Sequence, residues 1–464
     1  MLLRFNGNPS EYKEIFDSNL AILSSIDENS DFHKFIKYIS DFTEINYEIV
    51  SLSLKRYLMI SQEYYPENIT KYNSKFIKIN ILVFLAGMVK RNLYSDRKSS
   101  ATDYGKFQIF IDNWAPTVVE GFYGKDLIGS LKKEYSVLTE DFSMTGKVRV
   151  KHFFRYYKNL SKCFKMASVI EKKYKIKLMK YICNVFFSFI SGMDLKERGF
   201  RGIVISGNDN GFNTIKAKAS LCNIMLIQNG GRGYLSDSTF GYADCYLAMD
   251  SEQENVHRIK TGNLFKSTYN LGSLRLFNYL QSKEKAEFNF TYDILWISSW
   301  PVSGISKIYD SYYDVASEKN AIRLINELSN KGKYSIAYQC SYKGETEDLK
   351  IMNLYSENIK YFMRNKPIVY ENIFLSNVIL STGSTVNIEA LASKIKCGFV
   401  NMSDNELINY PFALGNLEYS KKTDISFEEF IEYIKDKEFA FDKYITQEAN
   451  YAKKFLEITR EYVK

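Results

Sequence analysis

Hydroxyls, a glycine and an acid fall together in one stretch, Val378-Ile-Leu-Ser-Thr-Gly-Ser-Thr-Val-Asn-Ile-Glu-Ala-Leu391. An apolar strand, Val378 to Leu380, runs into a small-residue turn, Ser381 to Thr385, and a helix starts near Val386. So little side-chain bulk lets backbone N–H groups and the Ser384 and Thr385 hydroxyls surround an anion, with the positive helix end aimed at it. That chemistry is phosphate binding, although an ordinary capped helix has the same pattern. Two further polar loops each follow a buried strand. Gly202-Ile-Val-Ile-Ser206 leads into Gly207-Asn-Asp-Asn-Gly211, and Ile224-Met-Leu-Ile-Gln228 into Asn229-Gly-Gly-Arg-Gly233. With a helix over Phe212 to Leu221 between the strands, this is a βαβ unit. Both loops then lie at the carboxyl ends of its strands, the edge where open parallel sheets bind ligands.

The elements that must position these loops alternate along most of the chain. Residues 1–100 read as mainly helical, with Phe32, Phe35, Ile36, Ile39 and Phe42 making one face apolar. Residues 101–280 form a first α/β domain, with strands at Phe107 to Asp112 and Tyr242 to Ala248. A long basic helical region lies between Arg149 and Met193, densest from Glu171 to Lys180. Its lysines suit an anionic acceptor or phospholipid headgroups, and a solvated helix face has the same composition. Leu271-Gly-Ser-Leu-Arg275 closes the domain, and Gln281 to Glu287 reads as the linker.

A second α/β domain, residues 288–440, opens with the strand Tyr292 to Ser299. Helices are expected over Val315 to Ser329 and Leu349 to Phe362, with strands at Tyr334 to Tyr338, Ile368 to Tyr370 and Cys397 to Val400. The remainder, residues 441–464, is a terminal helix. Steady alternation of this kind predicts parallel, doubly wound sheets.

Composition narrows the function. At 464 residues, 45% hydrophobic and 25% charged, the chain is globular, with two or three domains. A net charge of +8 spread over that length is too small to imply a nucleic-acid partner. The six cysteines form no CxxC pair, the three histidines form no HxxxH or HExxH pattern, and no DxD triplet occurs, so neither a disulfide framework nor a protein-held metal is expected. The longest apolar runs, Ile79 to Val89 and Tyr181 to Met193, fall short of the ~20 residues that span a bilayer. The expectation is a cytoplasmic protein, with peripheral contact to the inner membrane left open.

Two α/β domains, a linker and a terminal helix resemble the paired-Rossmann glycosyltransferase architecture, GT-B, here with a helical N-terminal extension. Asn208 to Gly211, Ile227 to Arg232, Leu271 to Arg275 and Leu380 to Leu391, taken in order, are similar to bacterial transferases that build capsule or lipopolysaccharide, and distantly to bacterial sialyltransferases. The resemblance covers roughly residues 200–400. It implies a nucleotide-sugar donor held by the C-terminal domain and a glycan or glycolipid acceptor brought to the N-terminal one. Donor contacts then fall to Ser299, Lys343, Gly383, Ser384, Thr385 and Glu389, the last by accepting two hydrogen bonds from the ribose diol. Acceptor contacts fall to Asn208, Asn210, Gln228, Asn229 and Arg232. Asp209, a carboxylate in a strand-end loop among amides and glycines, is the expected catalytic base; an Asx turn is its plain alternative.

The departures from that pattern bear on chemistry. No histidine follows His257, so the His-Pro pair of such sialyltransferases is missing, and Lys343 is left as a source of positive charge. Eight residues after Glu389 stands Cys397, so the glutamate pair of many retaining transferases is missing too. The donor is then a CMP-activated acidic sugar or a UDP- or GDP-sugar, with neither cofactor nor metal. A polyol-phosphate transferase, a nucleotide-sugar 2-epimerase or a non-catalytic carbohydrate-binding scaffold are the alternatives on the same fold.

Overall fold

The computed structural model describes residues 2–3, 9–64, 103–114, 122–146, 149–209, 212–230, 239–249, 261–281, 290–299, 315–363, 366–403, 417–438 and 447–463. Three helices come first: α1 (Pro9–Ser24), α2 (Ser30–Thr43) and α3 (Tyr47–Tyr64). Asn29 caps α2 by accepting from the Asp31 N–H, and Phe32, Phe35, Ile36 and Ile39 are buried, as their spacing requires.

The first α/β domain follows: β1 (Ile109–Asp112), α4 (Lys125–Glu134), β2 (Val137–Glu140), α5 (Val150–Tyr174), α6 (Met179–Glu197), β3 (Ile203–Ser206), α7 (Thr214–Ala219), β4 (Asn223–Ile227), β5 (Tyr242–Ala248), β6 (Leu264–Asn270) and α8 (Leu274–Gln281). The second holds β7 (Tyr292–Ile297), α9 (Val315–Asn330), β8 (Ile336–Gln339), α10 (Glu345–Ile351), β9 (Ile359–Phe362), α11 (Lys366–Phe374), β10 (Ser376–Ser381), α12 (Thr385–Ala392), β11 (Lys396–Asn401), β12 (Glu418–Ser420) and α13 (Phe427–Asp436). The last helix is α14 (Tyr451–Tyr462).

Each domain has one six-stranded sheet, in the orders β2-β1-β3-β4-β5-β6 and β12-β11-β10-β7-β8-β9. Every strand pair is parallel. The fold is therefore two Rossmann-like doubly wound domains with a helical N-terminal region, the class expected from the alternation. Central strands such as Ile203-Val-Ile and Ile294-Leu-Trp-Ile are buried on both faces, which is why they read as unbroken apolar runs. The terminal helix does not stay with the second domain. Tyr451, Phe455 and Ile458 of α14 share a core with Ile109, Ile203 and Phe277 of the first. Its Arg460 pairs with Glu134 of α4 at 2.7 Å.

Local structure departs from expectation at three places. The segment Leu349 to Phe362 is not one helix. α10 stops at Asn353, in the left-handed region at φ 55°, and the chain resumes as β9. Ile368 to Tyr370 lies inside α11 and is no strand. The long basic region breaks at Lys175 (φ 54°) into α5 and α6, where the Glu171 carboxylate accepts from the Leu178 and Met179 N–H groups and caps α6. The proposed linker after Gln281 and the apolar run Ile79 to Val89 lie outside the described residues. Among the described residues no helix is long and apolar enough to cross a membrane.

Candidate functional site

Two of the three polar loops begin where a sheet reverses its winding. Read from β9, the second sheet runs third, second, first, fourth, fifth and sixth strand, the Rossmann order, and its switch point lies between β7 and β10. Crevices for ligands open at the carboxyl ends of such strands. Here β7 ends in Ser298 and Ser299, and β10 ends in the turn Ser381 to Ser384. The Gly383 N–H donates to Ser299 Oγ at 2.9 Å. The Thr382 hydroxyl lies 3.2 Å from the same atom and donates to the buried carboxylate of Glu318 from α9. Ser384 is the N-cap of α12, accepting from Val386 N–H, and Gly383 to Thr385 are half-buried at the helix mouth.

After the next strand, β8, a fully buried Glu345 at the start of α10 shapes the intervening turn. Its carboxylate accepts from the Ser341 N–H at 2.6 Å and the Tyr338 hydroxyl at 2.8 Å. Burial pushes its pKa up against those bonds. Lys343 is exposed at the tip of this turn.

The first sheet winds in opposite directions from β1 and β3, and its switch point carries Asp112 and the Asp209 loop. Ser206 Oγ donates to Asp112 Oδ2 at 2.7 Å and accepts from the Asn208 N–H at 3.0 Å. Asp112 is 3% exposed, and burial holds its carboxyl above the usual range. A Cβ on Gly207 would meet the Phe122 ring at 2.2 Å, so this entry to the loop requires glycine. Asp209 itself is 9% exposed and accepts from the Tyr246 hydroxyl at 3.1 Å, with Tyr246 stacked on Phe265 at 4.1 Å. A cavity of about 860 Å³ lies against α3, α6 and α7, and Phe212, just after this loop, is in its wall.

Of the expected acceptor residues, Gln228 is placed otherwise. It is 2% exposed, its amide oxygen accepts from the Met249 N–H at 2.8 Å, and its amide nitrogen donates to the Gly230 carbonyl at 2.8 Å. The side chain staples the loop after β4 to the loop after β5. Gln228→Leu is expected to lower unfolding free energy by about 1–3 kcal/mol in a urea titration, because buried backbone groups lose their partners. Asn210 and Arg232 lie outside the described residues.

Arg275, quoted in sequence only as part of a motif, is brought to the same edge. At the start of α8 it donates to Asn229 Oδ1, and its guanidinium lies 5.4 Å from the Phe122 ring centroid. Its charge acts on Glu389 in the other domain. Glu389 is 2% exposed in α12, and its two oxygens accept from Ser273 Oγ at 2.5 Å and Tyr370 Oη at 3.1 Å. Ser273 follows β6 and Glu389 follows β10, so the carboxyl edges of the two sheets meet. Tyr279 of α8 stacks on Tyr370 of α11 at 5.1 Å beside this contact. A cation directly after a strand-end loop was the available signal for Arg275; nothing local marked Glu318 or Glu345.

The fold and site define a two-domain α/β protein whose sheets meet at their carboxyl edges through Ser273 and Glu389. No family model and no curated protein sequence matches the chain. Among solved structures, the UDP-GlcNAc 2-epimerase of Methanocaldococcus jannaschii is 11% identical, with a TM-score of 0.44 over 76% of this chain and 99% of that one. That of Neisseria meningitidis, bound to UDP-GlcNAc, is 14% identical, with a TM-score of 0.43 over 76% and 99%. The wall teichoic acid polymerase TagF is 11% identical, with a TM-score of 0.44 over 84% and 98%. The fold assignment stands on the two sheets themselves and takes nothing from these likenesses.

Proposed function

We propose that the protein is a metal-independent glycosyltransferase that moves a sugar from a nucleotide-sugar donor to a surface glycan or glycolipid acceptor. The observation that supports it most is the placing of the Ser381–Thr385 turn at the β7/β10 switch point, with its N–H groups and hydroxyls around a helix start. Phosphate charge is stabilised there by backbone N–H groups, hydroxyls and the helix end. Arg275, fixed by Asn229 at the meeting edges, adds a guanidinium for a leaving phosphate. Glu389 serves the donor ribose only by exchanging Ser273 for a sugar hydroxyl.

Asp209 takes the proton of the acceptor hydroxyl as that oxygen attacks the anomeric carbon and the nucleotide leaves with the bonding pair. The acceptor enters on the N-terminal domain's side, where Asn208 and Asn229 flank the loop and the 860 Å³ cavity gives it room. His33 lies on α2 and His152 on α5, packed with Tyr47 and Glu197 respectively. Neither stands at a strand edge; His257, between β5 and β6, lies outside the described residues, and the epimerase and polyol-phosphate readings are separated from transfer by the test below. Whether the sugar is a CMP-activated acidic one or is carried on UDP or GDP is decided by experiment.

Thermal shift with CMP, UDP, GDP and CDP at millimolar concentration is the test. One nucleotide is expected to raise the melting temperature, since free ligand at a hundred times its Kd stabilises by about 2.7 kcal/mol. A flat response to all four sinks the proposal. With the nucleotide known, its sugar donors separate the chemistries: a transferase releases nucleotide only with acceptor present, and an epimerase releases none.

A further inference from the structure

The outer face of α5 carries a row of cations that the proposed reaction does not use. Lys151, Arg155, Lys158, Lys162, Lys165 and Lys172 recur at three- and four-residue steps, with Val169 filling the one remaining place, and all seven are exposed. Steps of three and four residues keep side chains on one line of a helix, here about 30 Å long at 1.5 Å per residue. Among the described residues ion pairs hold only its end: Lys151 reaches Glu197 at 2.7 Å. Beyond the row, Lys173 reaches Asp31 of α2 at 2.7 Å. Lys162 lies 4.2 Å over the Tyr38 ring. The only acid on α5, Glu171, is turned inward to cap α6.

Large apolar side chains stand among these cations. Phe154 is 72% exposed, Val169 61% and Tyr157 44%. An aromatic ring kept in water beside lysines is a cost in a merely solvated helix, and a gain where the helix lies at a lipid interface. A soluble polyanion would use the cations and leave Phe154 and Val169 in water. We infer that α5 lies flat on an anionic phospholipid bilayer, its lysines among headgroups and Phe154 and Val169 at the acyl boundary. The sequence places its densest basic patch at Glu171 to Lys180; the structure moves the surface to the row from Lys151 to Lys172. The inference is independent of the transfer reaction.

The test is co-sedimentation of the full chain with vesicles of phosphatidylcholine containing one third phosphatidylglycerol, with pure phosphatidylcholine as control, and needs neither donor nor acceptor. Binding is expected to the anionic vesicles alone and to weaken as salt rises. Lys158→Gln, Lys165→Gln and Lys172→Gln combined, which break no ion pair among the described residues, are expected to weaken it about 100-fold, roughly fivefold per cation. Phe154→Ser is expected to weaken vesicle binding severalfold and to leave retention on immobilised dextran sulfate unchanged. Equal binding to both vesicles, or a triple variant that sediments like the wild type, overturns the inference. A Phe154→Ser variant that keeps full vesicle affinity also overturns it, and assigns the row to a soluble polyanion.

Discussion

Replacing Asp209 with asparagine is expected to slow sugar transfer by about a hundred- to ten-thousandfold and to leave nucleotide binding as it was. The substitution preserves size and keeps an oxygen that accepts from the Tyr246 hydroxyl, now at 3.1 Å. It removes only the ability to hold the acceptor's proton. Because the loop stands at the first sheet's switch point and the Ser381–Thr385 turn at the second's, the two proposed functions fall to different domains. The measurement pairs the thermal shift of the preferred nucleotide with turnover of its sugar donor. A variant that binds nucleotide normally and turns over at a small fraction of the wild-type rate is the expected result. Loss of both would mean that Asp209 and Tyr246 hold the loop together and that the base lies elsewhere.

What was legible in the sequence follows from burial. β3, β4, β5, β7, β10 and β11 are buried on both faces and could be read as apolar runs. β2, β6 and β12 are only partly buried, so their composition is mixed and they were not seen. Ile368 to Tyr370 failed for the opposite reason: three apolar residues fit a strand and a helix face equally well. β9 was absorbed into a helix because Asn353, not glycine, supplies the left-handed stop. In the site, the turn around Ser384 was legible because its chemistry is local. Gln228 was misplaced because its partners, Met249 and Gly230, belong to two loops that no spacing relates. The meeting of Ser273 with Glu389, 116 residues apart, had no sequence signal at all.

Glu389 also sets how stability should depend on pH. Burial holds its carboxyl above the usual range, and the Arg275 charge and the Ser273 and Tyr370 hydroxyls only partly oppose this. The folded chain therefore keeps this proton to a higher pH than the unfolded chain, which loses it near ~4.3. Such a group contributes fully below the unfolded pKa, and its contribution is lost as pH rises through the folded one. Asp112, Glu171 and Glu345 are shifted the same way, each chiefly by burial. Glu134 and Glu428, held down by Arg460 and by Lys331 and Lys333, lose their contribution only as pH falls through their depressed values. The urea midpoint is thus expected to decline from about pH 5 toward neutral pH. Glu389→Gln removes one titrating group while keeping a hydrogen-bonding side chain between Ser273 and Tyr370, so its decline should be shallower. Profiles that run parallel would mean Glu389 is ionised throughout and that Arg275 outweighs burial. Glu389→Ala, which leaves Ser273 and Tyr370 without their shared acceptor and opens a void between the domains, should cost about 3 kcal/mol below the unfolded pKa and less as pH rises through the folded one.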